Sequence, residues 1–477
     1  MPSAFFSDLF QSLRWVARWG LLTLPVGLAT GSACALFLWS LDRVTNHRFQ
    51  NPSLLYALPI AGIAIGWVYS RWGESAERGN NLIMDEIHEP GGGVPLRMAP
   101  LVLFGTLATH LFGGSAGREG TAVQMGGSLA QGFARLVPGL SAEEVRILLM
   151  TGIAAGFSGV FGTPIAGTVF ALEVLSIGRI SHAALVPCLI ASLVSDRTCL
   201  AWGIGHTHYP INSLVDPVSG AAHPLGGSIL AAAALIGALS GLASALFSEL
   251  THGLHAAFRR LSGSPLVRPF LGGLIVIGLT FLVGNRDSLG LGVSSPDPAA
   301  VTIVRCFEPG GAHLWSWLWK LLFTAVTLAS GFKGGEVTPL FFIGAALGNV
   351  LATALGLPVD VLAALGFAAV FAGATNTPLA CTLMGIELFG SGLAVPLAVA
   401  CCLAYVASGH TGIYLSQRIT APKVPGPAGD IPRSLKAERE RRRERGRRAV
   451  ELSRDGAADP AEQERKSPPP PEEAKGS

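Results

Sequence analysis

Charge is scarce in this chain. Asp, Glu, Lys and Arg make up only 14% of its 477 residues, against about a quarter in a typical soluble domain. The charge is also unevenly placed. Residues 420–477 hold 14 of the 34 Lys and Arg and 11 of the 31 Asp and Glu, leaving 20 of each sign for everything before them. Forty charges cannot cover the surface of a soluble particle of that length, so a soluble enzyme is excluded, and so is a disordered chain. Paired cysteine is missing as well. The seven (Cys34, Cys188, Cys199, Cys306, Cys381, Cys401, Cys402) are odd in number and scattered, with no C-x-x-C spacing. They exclude a disulfide scaffold and read as small buried hydrophobes. No H-E-x-x-H, G-x-S-x-G or Walker loop occurs, so an intramembrane protease or an ATP-driven pump lacks its chemistry. His206-x-His208 lies in a loop beside Pro210, without a cysteine or carboxylate cluster, so neither a metal nor a cofactor is expected. The net charge of +3 comes entirely from the end of the chain and argues for no nucleic-acid partner.

Apolar residues supply what charge does not. Half of the chain is hydrophobic and the mean hydropathy is +0.48. Runs able to enter a bilayer lie at Trp19–Leu41, Leu54–Tyr69, Ala99–Phe112, Ile147–Leu175, Ala183–Val194, Ile229–Phe247, Phe270–Val283, Leu314–Ser330, Thr338–Leu355, Val361–Phe389 and Leu393–Ala407. A spanning helix needs about 20 residues. Several runs are shorter and two are too long for one crossing, which predicts tilted and broken helices. The first run follows Arg14 and Arg18 and reads as a retained helix rather than a signal peptide. Of the 60 glycines, 21 sit inside these apolar stretches, where they allow close helix contact or a helix break facing a ligand. The expected fold is therefore all-α and polytopic, with residues 1–421 forming a transmembrane domain.

Two stretches occur twice. Thr163-Pro-Ile-Ala-Gly-Thr-Val-Phe-Ala-Leu-Glu173 matches Thr377-Pro-Leu-Ala-Cys-Thr-Leu-Met-Gly-Ile-Glu387, 214 residues apart. Gly117-Arg-Glu119-Gly-Thr121 matches Gly334-Gly-Glu336-Val-Thr338, 217 apart. Two internal repeats, about 14–200 and 225–417, follow. Such halves place a substrate between them near mid-membrane, where half-helix N-termini turn free N–H groups toward an anion. Both glycine-rich stretches, Gly114–Gly120 and Gly331–Gly335, lead into a helix and fit that role.

Ionisable groups at bilayer depth are costly, and each is a candidate functional residue. Glu119 stands at a helix start, where the dipole favours a carboxylate that competes with a bound anion. A carboxylate that leaves, takes a proton and returns would couple proton to anion movement. Glu336, aligned with it in the second repeat, is a candidate second protonatable group, with helix capping or pairing to Lys333 as the alternative. Arg118 either pairs with an acidic group or faces water. Glu173 and Glu387 read as structural.

Together these motifs resemble the CLC family of anion channels and proton-coupled antiporters. The matching segments are Gly113–Gly120, Gly156–Glu173, Gly331–Gly348 and Tyr414, in the family's order over most of 14–417. The resemblance implies inverted repeats, a homodimer with one pathway per subunit, Glu119 as gating glutamate, and Tyr414 at a central anion site. Four departures look like the fluoride-exporting branch. Asn80 in Gly79-Asn80-Asn81-Leu82-Ile83 replaces the serine of chloride-handling members, and Thr121 replaces a proline. Gly334-Gly335-Glu336-Val337-Thr338-Pro339 replaces the later Gly-Gly-Ile-Phe-Ala-Pro segment. Val174 stands where many antiporters hold an internal proton-transfer glutamate. The resemblance thus implies a proton-coupled fluoride antiporter of the bacterial inner membrane, not an enzyme. The alternative is a chloride/proton antiporter or channel of the same fold. Gly117, Arg118, Gly120, Asn80, the Val337 and Thr338 amides, the Thr338 hydroxyl and Tyr414 are the expected anion-binding groups. Residues 422–477, with their Arg/Glu-rich stretch Lys436–Arg448 and proline run Ser467–Pro471, are expected to form a largely disordered cytoplasmic tail without an apolar face. Removing it is expected to leave transport intact.

Overall fold

Glycine, asparagine and proline cut the apolar runs where one crossing ends and the next element begins. The computed structural model describes residues 2–213, 226–424 and 434–456. Sixteen α-helices form among them: α1 (Pro2–Gln50), α2 (Leu58–Trp72), α3 (Asn80–His88), α4 (Met98–Leu111), α5 (Glu119–Leu136), α6 (Ala142–Phe161), α7 (Pro164–Glu173), α8 (Leu185–Ala201), α9 (Gly227–Leu261), α10 (Val267–Val283), α11 (Ser316–Ser330), α12 (Val337–Leu355), α13 (Val359–Thr375), α14 (Pro378–Phe389), α15 (Ala394–Ala407) and α16 (Leu435–Gly456). Two-residue strands β1 (Ser176–Ile177) and β2 (Arg418–Ile419) pair in parallel. Among the described residues, six helical segments are long and apolar enough to cross a bilayer, and six shorter apolar helices accompany them.

The two long apolar runs break at equivalent points. Gly162 ends α6 in the left-handed conformation (φ 71°, ψ 30°), and Asn376 ends α13 likewise (φ 59°, ψ 38°). Pro164 and Pro378 then open α7 and α14, where the missing N–H costs nothing. Glycine and asparagine are the residues that tolerate this backbone at least cost. The apolar-run reading missed α5, because Gln124, Gln131 and its glycines dilute the hydropathy; most of the helix is nevertheless buried.

The repeat is antiparallel in space. Glu173, at the end of α7, accepts hydrogen bonds from the Leu379 (3.1 Å) and Ala380 (2.8 Å) amides at the start of α14. Glu387, at the end of α14, accepts from Ile165 (3.0 Å) and Ala166 (2.7 Å) at the start of α7. Each carboxylate satisfies orphan donors of the opposite half and sits at the positive end of its dipole. The structural reading of both glutamates agrees with these contacts. α8 packs on α1 and α6, and α15 correspondingly on α9 and α13. Where α5 crosses α6, and α12 crosses α13, a Cβ on Gly126 or Gly344 would collide with the carbonyl of Gly152 or Gly366. Small residues here let backbones touch, as membrane helix packing requires.

The spatial register corrects the sequence match. Gly117 bridges Gly335, and the residues just before the two helix starts are Arg118 and Glu336. Around these starts the offset is 218, so the counterpart of Glu119 is Val337 and that of Arg118 is Glu336. The motif match followed the shared Gly-x-Glu lettering, whereas the chain aligns its helix starts.

The beginning of the tail also departs from expectation. Leu435 is 2% exposed and packs with Ile177 and Ile419. The Leu435 amide donates to the Gln417 carbonyl (3.0 Å) and the Lys436 amide to that of Leu415 (3.1 Å). Arg439 pairs with Glu249 of α9 at 3.0 Å. Residues 434–456 thus carry an ordered helix with a docked apolar anchor. Residues 425–433 and 457–477, including Ser467–Pro471, lie outside the described residues.

Candidate functional site

Two helix starts meet at the centre of the domain, and backbone hydrogen bonds hold them together. The Gly117 amide donates to the Gly335 carbonyl (2.6 Å), and the Gly335 amide returns a bond to Gly117 (2.8 Å). A Cβ on Gly335 would lie 2.8 Å from the Gly120 amide, and one on Gly117 would lie 2.9 Å from that of Thr338. Any side chain would force the two starts apart. Behind them Ser115 is pinned by Thr324 (2.9 Å) and Thr327 (3.2 Å) of α11.

Across this junction lies Glu119, 1% exposed. Its carboxylate accepts from the Thr338 amide (3.1 Å) and from the Thr338 hydroxyl, 2.7 Å from either oxygen. The Arg118 amide donates to the same carboxylate at 3.1 Å, and the Arg118 Nε stands 3.5 Å away. The first residue of α5 therefore occupies the donors at the N-terminus of α12. Those donors are suited to any small anion, and here the anion is a carboxylate of the protein itself.

Cavities flank the junction on both sides. One, of about 520 Å³, reaches Arg118 from between the end of α1 and the α10–α11 connection. The other, of about 450 Å³, is lined by Asn80, Gln124, Glu336 and Tyr414. The structure thus brings every site residue named from the sequence into one neighbourhood but divides them. Arg118 faces the first cavity, and Asn80, Glu336 and Tyr414 the second. Glu119 and Thr338 stand between, with Gly117 and Gly120 keeping the approach close and Val337 opening α12.

On the second side, Gly79 (φ 57°, ψ −134°) turns the chain so that α3 begins with Asn80 pointing at the start of α5. A Cβ on Gly120 would meet the Asn80 Nδ2 at 3.2 Å and the Glu336 Oε2 at 3.8 Å, so both groups converge there. Asn80 Oδ1 is buried without a hydrogen-bond partner. Glu336 forms no ion pair with Lys333, whose ammonium instead sits 4.0 Å over the Tyr69 ring. Tyr414 is 5% exposed on a short segment. That segment is clamped by Ile413 N–H to Ala374 O (3.0 Å), Ser416 N–H to Asn81 Oδ1 (3.0 Å), and the two tail bonds. Asn376 reaches Gln417 (2.8 Å), and Gln417 donates to the carbonyls of Val174 (2.8 Å) and Thr375 (2.9 Å). Sequence reasoning missed Gln124, Asn81 and Gln417, because ordinary amides outside any motif give no signal. His206 bonds the Val160 carbonyl (3.1 Å) and approaches Asp196 (3.7 Å), a packing role.

A closed junction between two cavities, formed by antiparallel half-helices with anion donors at their starts, defines a membrane anion-transport protein. The family model "Voltage gated chloride channel" matches residues 61–409, and the chain belongs to that family, the CLC proteins. It is 49% identical over 413 residues to a "Chloride/fluoride channel protein" of Pseudomonas syringae pv. tomato, covering 85% of this chain and 88% of the relative. A "Putative chloride channel protein ClcB-like" of Ralstonia nicotianae is 31% identical over 332 residues, 64% of this chain and 71% of that protein. Among solved structures, that of a CLC-type fluoride/proton antiporter superposes with a TM-score of 0.78 at 35% identity, covering 85% of this chain and 98% of that one. A slow cyanobacterial Cl−/H+ antiporter shares the fold, with a TM-score of 0.66 at 21% identity over 82% and 94%. The chain is a multi-pass protein of a bacterial plasma membrane.

Proposed function

We propose that this protein is a proton-coupled antiporter that exports fluoride, working as a homodimer with one pathway in each subunit. One observation carries the reading: the Glu119 carboxylate sits on the Thr338 amide and hydroxyl. Ionised, it holds the donors that a passing anion needs, and the path is closed. Protonated, it loses its charge and most of its attraction to those donors, so it leaves and an anion takes its place. When the anion departs, the carboxylate releases its proton and returns. The ionised carboxylate and the anion therefore occupy those donors in alternation.

Selectivity follows from the donors. Fluoride is small and a strong hydrogen-bond acceptor, so stripping its water requires compact donors at short range. The Thr338 amide and hydroxyl provide two, and the Asn80 amide and Tyr414 hydroxyl line the path on the tail side. The relative named for both chloride and fluoride and the structure of a fluoride/proton antiporter support the same reading. Glu336, facing the tail-side cavity with no charged partner, is the second protonatable group on the proton's way to Glu119.

The basic tail docks on the Tyr414 side, and Arg18 pairs with Glu144 at the start of α6. By the positive-inside rule this side is cytoplasmic and the Arg118 cavity opens outward. Purified protein in liposomes loaded with fluoride or chloride tests the function. Fluoride efflux with little chloride efflux is expected; equal efflux of both ions, or chloride efflux alone, refutes fluoride export as its task.

A further inference from the structure

Near the end of α1, Arg48 is 9% exposed and lines the cavity that leads to Arg118. Among the described residues its side chain has no ion pair and no hydrogen bond, and its Nε is buried without an acceptor. Its guanidinium lies against Gly290, whose backbone is left-handed (φ 59°); a Cβ there would stand 2.7 Å from Nη2. The next ring, Phe49, sits 4.7 Å from the guanidinium carbon and supplies no charge. Behind the same loop is a second buried cation. Lys320 is wholly buried and donates to the carbonyls of Gly290 (2.8 Å) and Ser288 (3.2 Å). Arg286, on the cavity wall, bonds the Pro52 carbonyl at 3.1 Å.

The acidic groups around this cavity are engaged elsewhere. Asp42 accepts from the Asn46 side chain (3.1 Å), Asp287 from the Val301 amide (3.2 Å) and Asp297 from the Ala299 amide (2.9 Å). None forms an ion pair with Arg48. A buried guanidinium without a counter-charge is costly, and a second cation close by raises that cost. A mobile anion removes it. Arginine is suited to the task, because its charge is permanent and weakly hydrated and its donors form a fixed fork.

We propose that Arg48, with Gly290 as its seat and Lys320 behind it, forms an outer binding site for a small inorganic anion, separate from the Glu119–Thr338 junction. Exported ions pause there on leaving, and external ions gather there before Arg118. The site rests on the transport reading only for its place on a pathway; its occupancy stands on the unpaired guanidinium.

Bromide, visible by its anomalous scattering, is the probe for occupancy. Crystals of the wild-type protein soaked in bromide are expected to show a peak within hydrogen-bond reach of Arg48 that Arg48→Gln lacks. No peak at Arg48 in the wild type, or one that persists in Arg48→Gln, overturns the site. Flux supplies the second readout. Arg48→Gln is expected to raise the KM for fluoride about three- to tenfold with the maximal rate unchanged, and Arg48→Lys to restore it. An unchanged KM, or a fall in maximal rate alone, contradicts a binding role. Should Arg48→Gln fail to fold, the wild-type soak and Arg48→Lys still decide. Wild-type vesicles that move no fluoride would refute the transport reading and leave the bromide peak to judge the outer site.

Discussion

The starts of α5 and α12 are the same structure with opposite chemistry. Both follow a left-handed glycine (Gly113, φ 87°; Gly331, φ 114°), both pass through a bridged glycine, and both open a buried helix. Yet α5 contributes a carboxylate and α12 the donors that receive it. At matched positions Arg118 faces Glu336, Glu119 faces Val337, and Gly120 faces Thr338. Duplication therefore supplied a frame with two anion-ready helix ends. Three substitutions within that frame turned one end into a gate and the other into its seat. Symmetry carries the fold, and its breaking carries the function.

Removing the seat should have the largest effect on that contrast. Thr338→Ala deletes one hydrogen bond to a charged group, worth about 1.5–3 kcal/mol, or roughly ten- to a hundredfold in binding. Fluoride flux at low concentration should fall accordingly, and Thr338→Ser should be mild. A stable Thr338→Ala protein with the parent's flux would reduce this hydroxyl to a helix cap. Next comes Asn80→Ser, which restores the residue of the chloride-handling pattern. A several-fold shift of the chloride-to-fluoride flux ratio toward chloride is expected, and an unchanged ratio would move selectivity away from α3.

The symmetric part of the frame should respond symmetrically. Glu173→Gln and Glu387→Gln each weaken two charge-assisted caps, and each should cost about 1–2 kcal/mol of stability. Thermal melting in detergent would show it, with the ion ratio unchanged in both. A loss of proton coupling in either variant would make that glutamate part of the proton route. The smallest effect belongs to the tail. Removing residues 457–477 should leave flux unchanged. Cutting after Pro422 instead removes Leu435 and the bonds to Leu415 and Gln417, and should lower the melting temperature by a few degrees. If cutting there left melting and flux untouched, the docked helix would be no support for Tyr414.

How much of this was legible in the sequence differs between frame and site. The frame was readable because repeated Thr-Pro and Gly-rich signals encode backbone geometry directly. Proline after threonine opens α7 and α14, and left-handed Gly162 and Asn376 close the helices before them. The Gly-x-Glu match was off by one position, because Glu336 resembles Glu119 in lettering while standing in the place of Arg118. Glu119, Thr338 and Tyr414 were found through motif and family resemblance. Arg48 and Lys320 were not, since a buried cation shows its partners, or their absence, only after packing. The docking of Leu435 was hidden for the same reason: one leucine ahead of an arginine-rich helix has no periodicity to reveal a buried face.

The central claim is that Glu119 alternates with the anion on the donors of Thr338 and carries the proton as it does so. Fluoride-loaded vesicles with equal pH inside and out test it directly. As fluoride leaves through the wild-type protein, protons should enter against their developing gradient and the lumen should acidify. In Glu119→Gln, which mimics the protonated gate and cannot release a proton, that acidification should vanish. Persistent fluoride-driven proton uptake in Glu119→Gln would contradict the account.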